Sequence, residues 1–481
     1  MWNIYPIFQL KILSLTRIKA YYYINQYIKK MLKFLSLLFI IPMMTVAQEI
    51  VPLSHNPDIY KIASEISAVE LENTVKKLVG FGTRNTLSDT VSSIRGIGAA
   101  RRWIKGEFDK ISSNCNNCLE VQYQRTLVSG NEKSRIKTDT WVVNVLAVLK
   151  ARPTTNRYII ISGDIDSRAS DASDALTDAP GANDNATGMA AVIETARVLS
   201  QYSFHANIVF AGLSGEEQGL YGGKHLAELA AKKGWDIIGV LNNDMIGNIE
   251  GIDGVIDNQS FRVFSEPTPV TEDDETRKRR RYFGGEVDGV SRQLARYVEA
   301  ISLKYLTDVK PMMIYRLDRF GRGGHHRPFN DLGFAGVRIM EAHENYNRQH
   351  QNIREENGVK YGDVISGVNF DYAAKLTRVN AITLAALAWA PTSPQNLKIG
   401  GMVSPDTHLK WDIDNNEWLL GYKIYWRETT ASQWQFSKYV GKIDHFTLEN
   451  IVIDNFLFGV ASVGKDGNES IVVFPNGLIN D

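Results

Sequence analysis

The chain has 481 residues, enough for two or three domains with a real core, and its 44% hydrophobic and 22% charged residues are ordinary globular composition. Lysine plus arginine and aspartate plus glutamate both total 54, so the formal net charge is zero and nothing points to nucleic acid as a partner. The one basic run, Arg277 to Arg281, directly follows the acidic run Glu272 to Glu275, and a mixed-sign cluster of this kind reads as a solvated loop rather than a binding patch.

In chain order, the first signal is one of export. Lys29, Lys30 and Lys33 precede the apolar run Phe34 to Met44, and Thr45-Val46-Ala47 offers small residues for cleavage before Gln48. The apolar run is short for a bilayer span, so no stable membrane span is expected after cleavage; a retained anchor is the competing reading. Residues 1–47 are therefore set aside as extension and signal peptide, with Met31 a candidate start. An exported chain is expected in the periplasm, at the cell surface or outside the cell. In that setting Cys115 and Cys118, the only cysteines, are most simply a local disulfide.

Residues 67–112 read mostly as helix, followed by strand-like Leu119–Leu127 and Trp141–Leu149. Strands and helices then alternate. Tyr158–Ser162, Ile208–Leu213, Ile237–Leu241 and Ala335–Met340 are apolar strands. Met189, Val192, Ile193, Ala196 and Leu199 have helical spacing, and Leu220–Ala231, Val290–Leu303 and Tyr372–Leu387 read as helices. This rhythm predicts an α/β fold: a mixed, mostly parallel central sheet covered by helices on both faces. Residues 251–284 break it with a polar, charged insert, expected to be an irregular loop and either a lid or a surface excursion. Pro391-Thr-Ser-Pro394 reads as a linker, which gives a main domain over 48–390 and a second over 391–481. In that second part His408–Trp411, Tyr422–Arg427 and Phe456–Val463 alternate apolar and polar residues, as in a small all-β sandwich. Its Trp411 and Gly421–Trp426 pattern resembles a fibronectin type III domain, which implies a spacer or an adhesive module with surface or polysaccharide contacts.

The informative feature is where acids fall. Four of the predicted strands run into carboxylates: Asp164 and Asp166, Glu216 and Glu217, Asp244, and Glu341. In an open α/β sheet these strand ends share one edge, where ligands bind. Asp184 sits at the start of the helix holding Met189, where an N-cap is its structural alternative. Acids at five such positions of one rim repel one another unless a divalent cation neutralises them and takes their oxygens as ligands.

At these residues the chain resembles the secreted co-catalytic zinc aminopeptidases, which include zinc carboxypeptidase relatives. The resemblance rests on Pro180–Gly188, Phe210–Gly222 and Asn243–Gly247 and covers about residues 60–390. It implies that Asp184 bridges two zinc ions, that Glu217 binds one and Asp244 the other, and that Glu216 is the general base for a metal-activated water, with a peptide as substrate. Asp166 falls in the place of an acid supporting the first ligand.

Two departures stand out. The resemblance implies a histidine at the first strand end, where Asp164 stands; a carboxylate still suits zinc but is harder, favouring other divalent metals as well. The last expected histidine aligns with Arg348. His350, two residues on, is its expected replacement, since residues two apart in an extended segment face the same way; His343 is a weaker candidate. His326 aligns with a histidine near the second metal or the substrate, and His325 replaces a usual aspartate. The reading is a metal-dependent exopeptidase, an aminopeptidase in the first instance. A pseudo-peptidase acting in binding or adhesion and an amide hydrolase for non-peptide substrates are the alternatives.

Overall fold

The computed structural model describes residues 22–32 and 52–479; the expected signal segment, Phe34 to Ala47, lies outside the described residues. Residues 22–32 form an exposed helix. Among the described residues no helix is long and apolar enough to cross a membrane. From Pro52 onward the chain is one compact unit.

Eight strands make the central sheet: β1 (Leu119–Val128), β2 (Thr140–Leu149), β3 (Arg157–Asp164), β4 (Asn207–Leu213), β5 (Asp236–Asn243), β6 (Ser260–Ser265), β7 (Lys310–Ile314) and β8 (Gly336–Glu341). Their spatial order is β1-β2-β4-β3-β5-β8-β6-β7. The neighbours β4, β3, β5 and β8 run parallel, so their C-terminal ends share one edge. β1 and β2 add antiparallel to one side, and β6 pairs antiparallel with β8 on the other.

Side-chain alternation along the strands feeds two cores. Ile159 and Ile161 of β3 and Ile208 and Phe210 of β4 face the larger, which packs under the helices Gly188–Leu199, Val290–Tyr305 and Phe370–Trp389. Ile160, Val209 and Ala211 face the other, covered by the helix Tyr221–Lys232 through Leu226, Ala227 and Ala230. The sheet is thus buried on both faces, as its apolar strands predict. Where the helix Gly188–Leu199 starts, it comes so close to β3 that a Cβ on Gly163 would lie 2.5 Å from the Gly188 carbonyl carbon. The end of β3 and the start of that helix are therefore locked together, next to Asp164 and Asp184.

The 251–284 insert is not an irregular loop. It supplies β6, whose Phe261 and Val263 are fully buried, and the helix Asp274–Phe283, capped by Asp273 and closed at Gly284. β6 is short and lies within a polar, charged stretch, and its buried Phe261, Val263, Phe264 and Ser265 do not alternate cleanly, so no strand showed by pattern. The basic run lies on that helix, no residue of which is buried, and Arg280 meets Glu272 at 2.7 Å. β7 was also unexpected. Cys115 and Cys118 form the expected disulfide, just after the helix Gly96–Asn114.

A short hairpin, β9 (Arg354–Glu356) and β10 (Val359–Tyr361), precedes the last helix. Beyond it, β11 (Gln395–Gly400), β12 (Thr407–Asp412), β15 (His445–Leu448) and β17 (Gly477–Leu478) form one sheet, and β13 (Leu419–Glu428), β14 (Phe436–Gly441) and β16 (Phe456–Gly464) another, around a core containing Trp411, Tyr422 and Phe458. The segment expected as a linker is packed: Arg157 donates to the carbonyls of Ala390 and Pro391, and the Ser462 hydroxyl to that of Thr392. Fully buried Asp288 is clamped between Arg296 and Arg427 of β13, joining the two parts.

Candidate metal centre

The loop carrying Asp184 is held from several sides. Asp363 accepts from the backbone N–H groups of Asn183 at 2.8 Å and Asp184 at 2.7 Å. Buried Arg84 donates to the carbonyls of Ile165, Pro180 and Gly181. The Asn185 amide donates to Asp164 Oδ2 at 2.7 Å and to the Asn243 carbonyl at 2.8 Å, tying the loop to the ends of β3 and β5. Glu341, at the end of β8, accepts from the Asn183 amide at 2.9 Å and the Asn248 N–H at 2.8 Å. Burial still pushes its carboxyl up to about 8.

β4 ends in a left-handed Gly215, φ +76°, a conformation that suits glycine, and a one-turn helix Glu216–Gly219 follows. Asp166 fixes this turn by accepting from the N–H of Glu216 at 3.3 Å and of Glu217 at 3.1 Å. It is the support for the turn and lies outside the ligand cluster. Glu217 then points its Oε1 to His350 Nε2 at 3.1 Å. Burial, and next the charge of Glu217, push the Glu216 carboxyl well above the usual carboxylate range.

His350 arrives by a route different from the extended one expected. Tyr346–Arg348 is a short 3₁₀ turn, Arg348 turns away to Glu250, and His350 takes a left-handed backbone, φ +54°. Its Nε2 lies 2.9 Å from Asp184 Oδ2 as well as near Glu217. Burial alone would lower the ring, but Glu217 and Asp184 hold it up at about 10. One ligand atom from each of Asp184, Glu217 and His350 falls within 4.8 Å of the others. Two carboxylates and an imidazole converging in this way form a donor set that fits zinc with a fourth position open.

The remaining predicted residues do not join that cluster. Asp244 Oδ2 is 2.8 Å from Arg338 Nη2, and Arg319 is 3.9 Å away. Asp164 accepts from Asn185, and its Oδ1 faces His325 Nε2 at 3.5 Å, both atoms buried. His326, expected at the substrate, is fully buried, its Nε2 bonded to the Leu317 carbonyl at 2.9 Å, so it supports the fold instead. His343 sits apart, 3.8 Å from Asp253. Sequence reasoning missed Asp363, Asp318 and Arg338. Only Arg338 gave a signal, as a charge inside the apolar strand Gly336–Glu341.

The sequence profile of peptidase family M28 matches residues 144–363. A probable zinc metalloprotease from Pyrenophora tritici-repentis is 39% identical over 437 residues, covering 90% of this chain and 90% of the relative. A second, from Leptosphaeria maculans, is 39% identical over 419 residues, covering 87% of this chain and 96% of the relative. Among solved structures, LapB from Legionella pneumophila is similar with a TM-score of 0.51 at 17% identity, covering 70% of this chain and 76% of LapB. The LapA aminopeptidase of the same organism is similar with a TM-score of 0.51 at 16% identity, covering 72% and 78%.

Proposed function

This chain belongs to peptidase family M28 and is a zinc-dependent peptidase, and from that premise we propose that it is an aminopeptidase using Asp184, Glu217 and His350 as metal ligands and Glu216 as general base. The observation that carries this reading is the convergence of those three ligand atoms within 4.8 Å, with Glu216 the residue next to Glu217. Those three residues would hold a divalent ion, which would supply water activation and polarisation of the scissile carbonyl. The chain's own part is positional. Asp166 and Asp363 fix the two loops through backbone N–H groups. Glu216, with its raised carboxyl, suits taking a proton from the attacking water and passing it to the leaving amine. The cluster opens to solvent on the His350 side, where that side chain is 30% exposed. The acid-rich rim around Glu216 suits the cationic N-terminus of a peptide, and the LapA neighbour is an aminopeptidase by name.

The export motif before Gln48 and the disulfide support an extracytoplasmic location. The fibronectin type III reading of residues 391–481 rests on the two mostly antiparallel sheets and their Trp411 core.

The test uses aminoacyl p-nitroanilides with free and N-acetylated amino termini, with and without chelator. Hydrolysis of the free substrates only, abolished by chelator, is expected. Glu216→Gln should lower turnover by about 10²–10⁴-fold, the usual worth of a general base, while leaving metal content unchanged. Equal cleavage of the acetylated substrates would rule out the aminopeptidase reading, and normal turnover by Glu216→Gln would rule out the base.

A further inference from the structure

We propose that this chain holds a single metal ion, on Asp184, Glu217 and His350, and that the Arg338 guanidinium is the permanent countercharge at Asp244, where a second ion would otherwise sit. The inference rests on the ligand reading above. Of the two other rim carboxylates, Asp244 is paired by the protein itself and Asp164 is bonded at one of its two oxygens.

At Asp244 the partner is built in. Arg338 is fully buried on the central strand β8, with Nη2 2.8 Å from Asp244 Oδ2 and 3.3 Å from the Asp244 carbonyl. Its Nη1 lies 3.2 Å from Asp318 Oδ2 and donates to the Gly323 carbonyl at 2.9 Å. A side chain anchored at both nitrogens cannot swing away without leaving Asp318 buried beside one cation fewer. Arg319, 3.9 Å from Asp244, places a second positive charge on the same carboxylate. A dication brought to this oxygen meets two guanidinium groups at close range and is repelled.

Asp164 is closed differently. Its Oδ2 is taken by the Asn185 amide at 2.7 Å. Its Oδ1 faces His325 Nε2, and His325 Nδ1 accepts the Gly223 N–H at 3.1 Å, so the proton of the neutral ring is on Nε2 and points at Asp164. The Nε2–H of the imidazole is thus turned towards Asp164 Oδ1 at 3.5 Å, though the two buried atoms make no hydrogen bond.

Asp244 and Asp318 thus face Arg338 and Arg319, whereas Asp184 and Glu217 meet at His350, with Arg168 3.6 Å from Glu217 Oε2.

The test is the metal content per chain of zinc-loaded, desalted protein, by native mass spectrometry with elemental analysis, for the wild type, Asp244→Asn and His350→Ala. One, one and none are expected. Two ions in the wild type, falling to one in Asp244→Asn, would overturn the proposal. A wild type without metal, or His350→Ala that keeps its ion, would instead overturn the ligand reading beneath it. Should Asp244→Asn fail to fold, the wild-type count decides, and Asp164→Asn, expected to keep one ion, takes its place.

Discussion

Asp166→Asn separates a residue that positions the catalytic turn from one that binds metal. The two carboxylate oxygens accept the N–H groups of Glu216 and Glu217 at 3.3 and 3.1 Å. Asparagine keeps one acceptor and turns an NH₂ towards the other N–H, so one charge-assisted bond is lost and a buried donor is left facing a donor. Each such loss costs about 1–3 kcal/mol. If about 2 kcal/mol of it appears in the transition state through a displaced Glu216, turnover falls about 30-fold, since each 1.4 kcal/mol is a factor of ten. The assay is kcat and KM on an aminoacyl p-nitroanilide, alongside metal content. The expected result is kcat down by about 10–100-fold, KM changed much less, and the metal retained. A kcat within about twofold of wild type would show that the turn does not need Asp166, and loss of the metal would show that Asp166 is a ligand.

Glu341→Gln should flatten the pH dependence of stability. The folded carboxyl, at about 8, holds its proton where the unfolded one has lost it, so its contribution is complete below the ordinary glutamate value and is lost as pH rises towards 8, with a slope of up to about 1.4 kcal/mol per pH unit; an unchanged slope in urea titrations at pH 5.5, 6.5 and 7.5 would refute it. Arg427→Met removes one of two cations on fully buried Asp288 and should cost about 3 kcal/mol, measured as a lower denaturation midpoint with turnover per folded molecule unchanged. Zinc at 100 times its Kd should stabilise the chelated protein by about 2.7 kcal/mol in the same titration, and His350→Ala should not respond.

The α/β core was legible because apolar strands and amphipathic helices alternate with little interruption, and the rim was legible because four parallel strands end in acids. Asp184, Glu217 and His350 were named from sequence and converge in the structure, yet the extended route expected for His350 is not the one seen. A tight turn with a left-handed residue delivers it, and backbone conformation of that kind is not written in side-chain alternation. Asp363 lay beyond reach because it meets Asp184 across 179 positions of chain from a loop with no pattern of its own. β6 was hidden because its buried Phe261, Val263, Phe264 and Ser265 break strict alternation within a charged window. His326 was misjudged because alignment cannot tell a ring that faces the site from one that donates to a carbonyl behind it.

The acids at this edge fall into two kinds, and their partners divide them. Asp166 and Asp363 accept backbone N–H groups from the loops that carry Glu217 and Asp184, and Glu341 accepts the Asn183 side-chain amide and the Asn248 N–H. Their oxygens are committed, and their work is to hold peptide geometry. Asp184 and Glu217 are held at the backbone by Asp363 and Asp166, and their carboxylates meet at His350, with Arg168 3.6 Å from Glu217 and Gln349 donating to Asp184 at 3.4 Å. Asp244 belongs to neither kind, since its carboxylate meets an arginine. Counting acids along the sequence therefore overstates the number of metal ligands, because a carboxylate becomes available to an ion only where other carboxylates have taken over the backbone around it. The seven acids predicted at one rim include in this way only two that share a histidine, with Glu216, the proposed base, next to them.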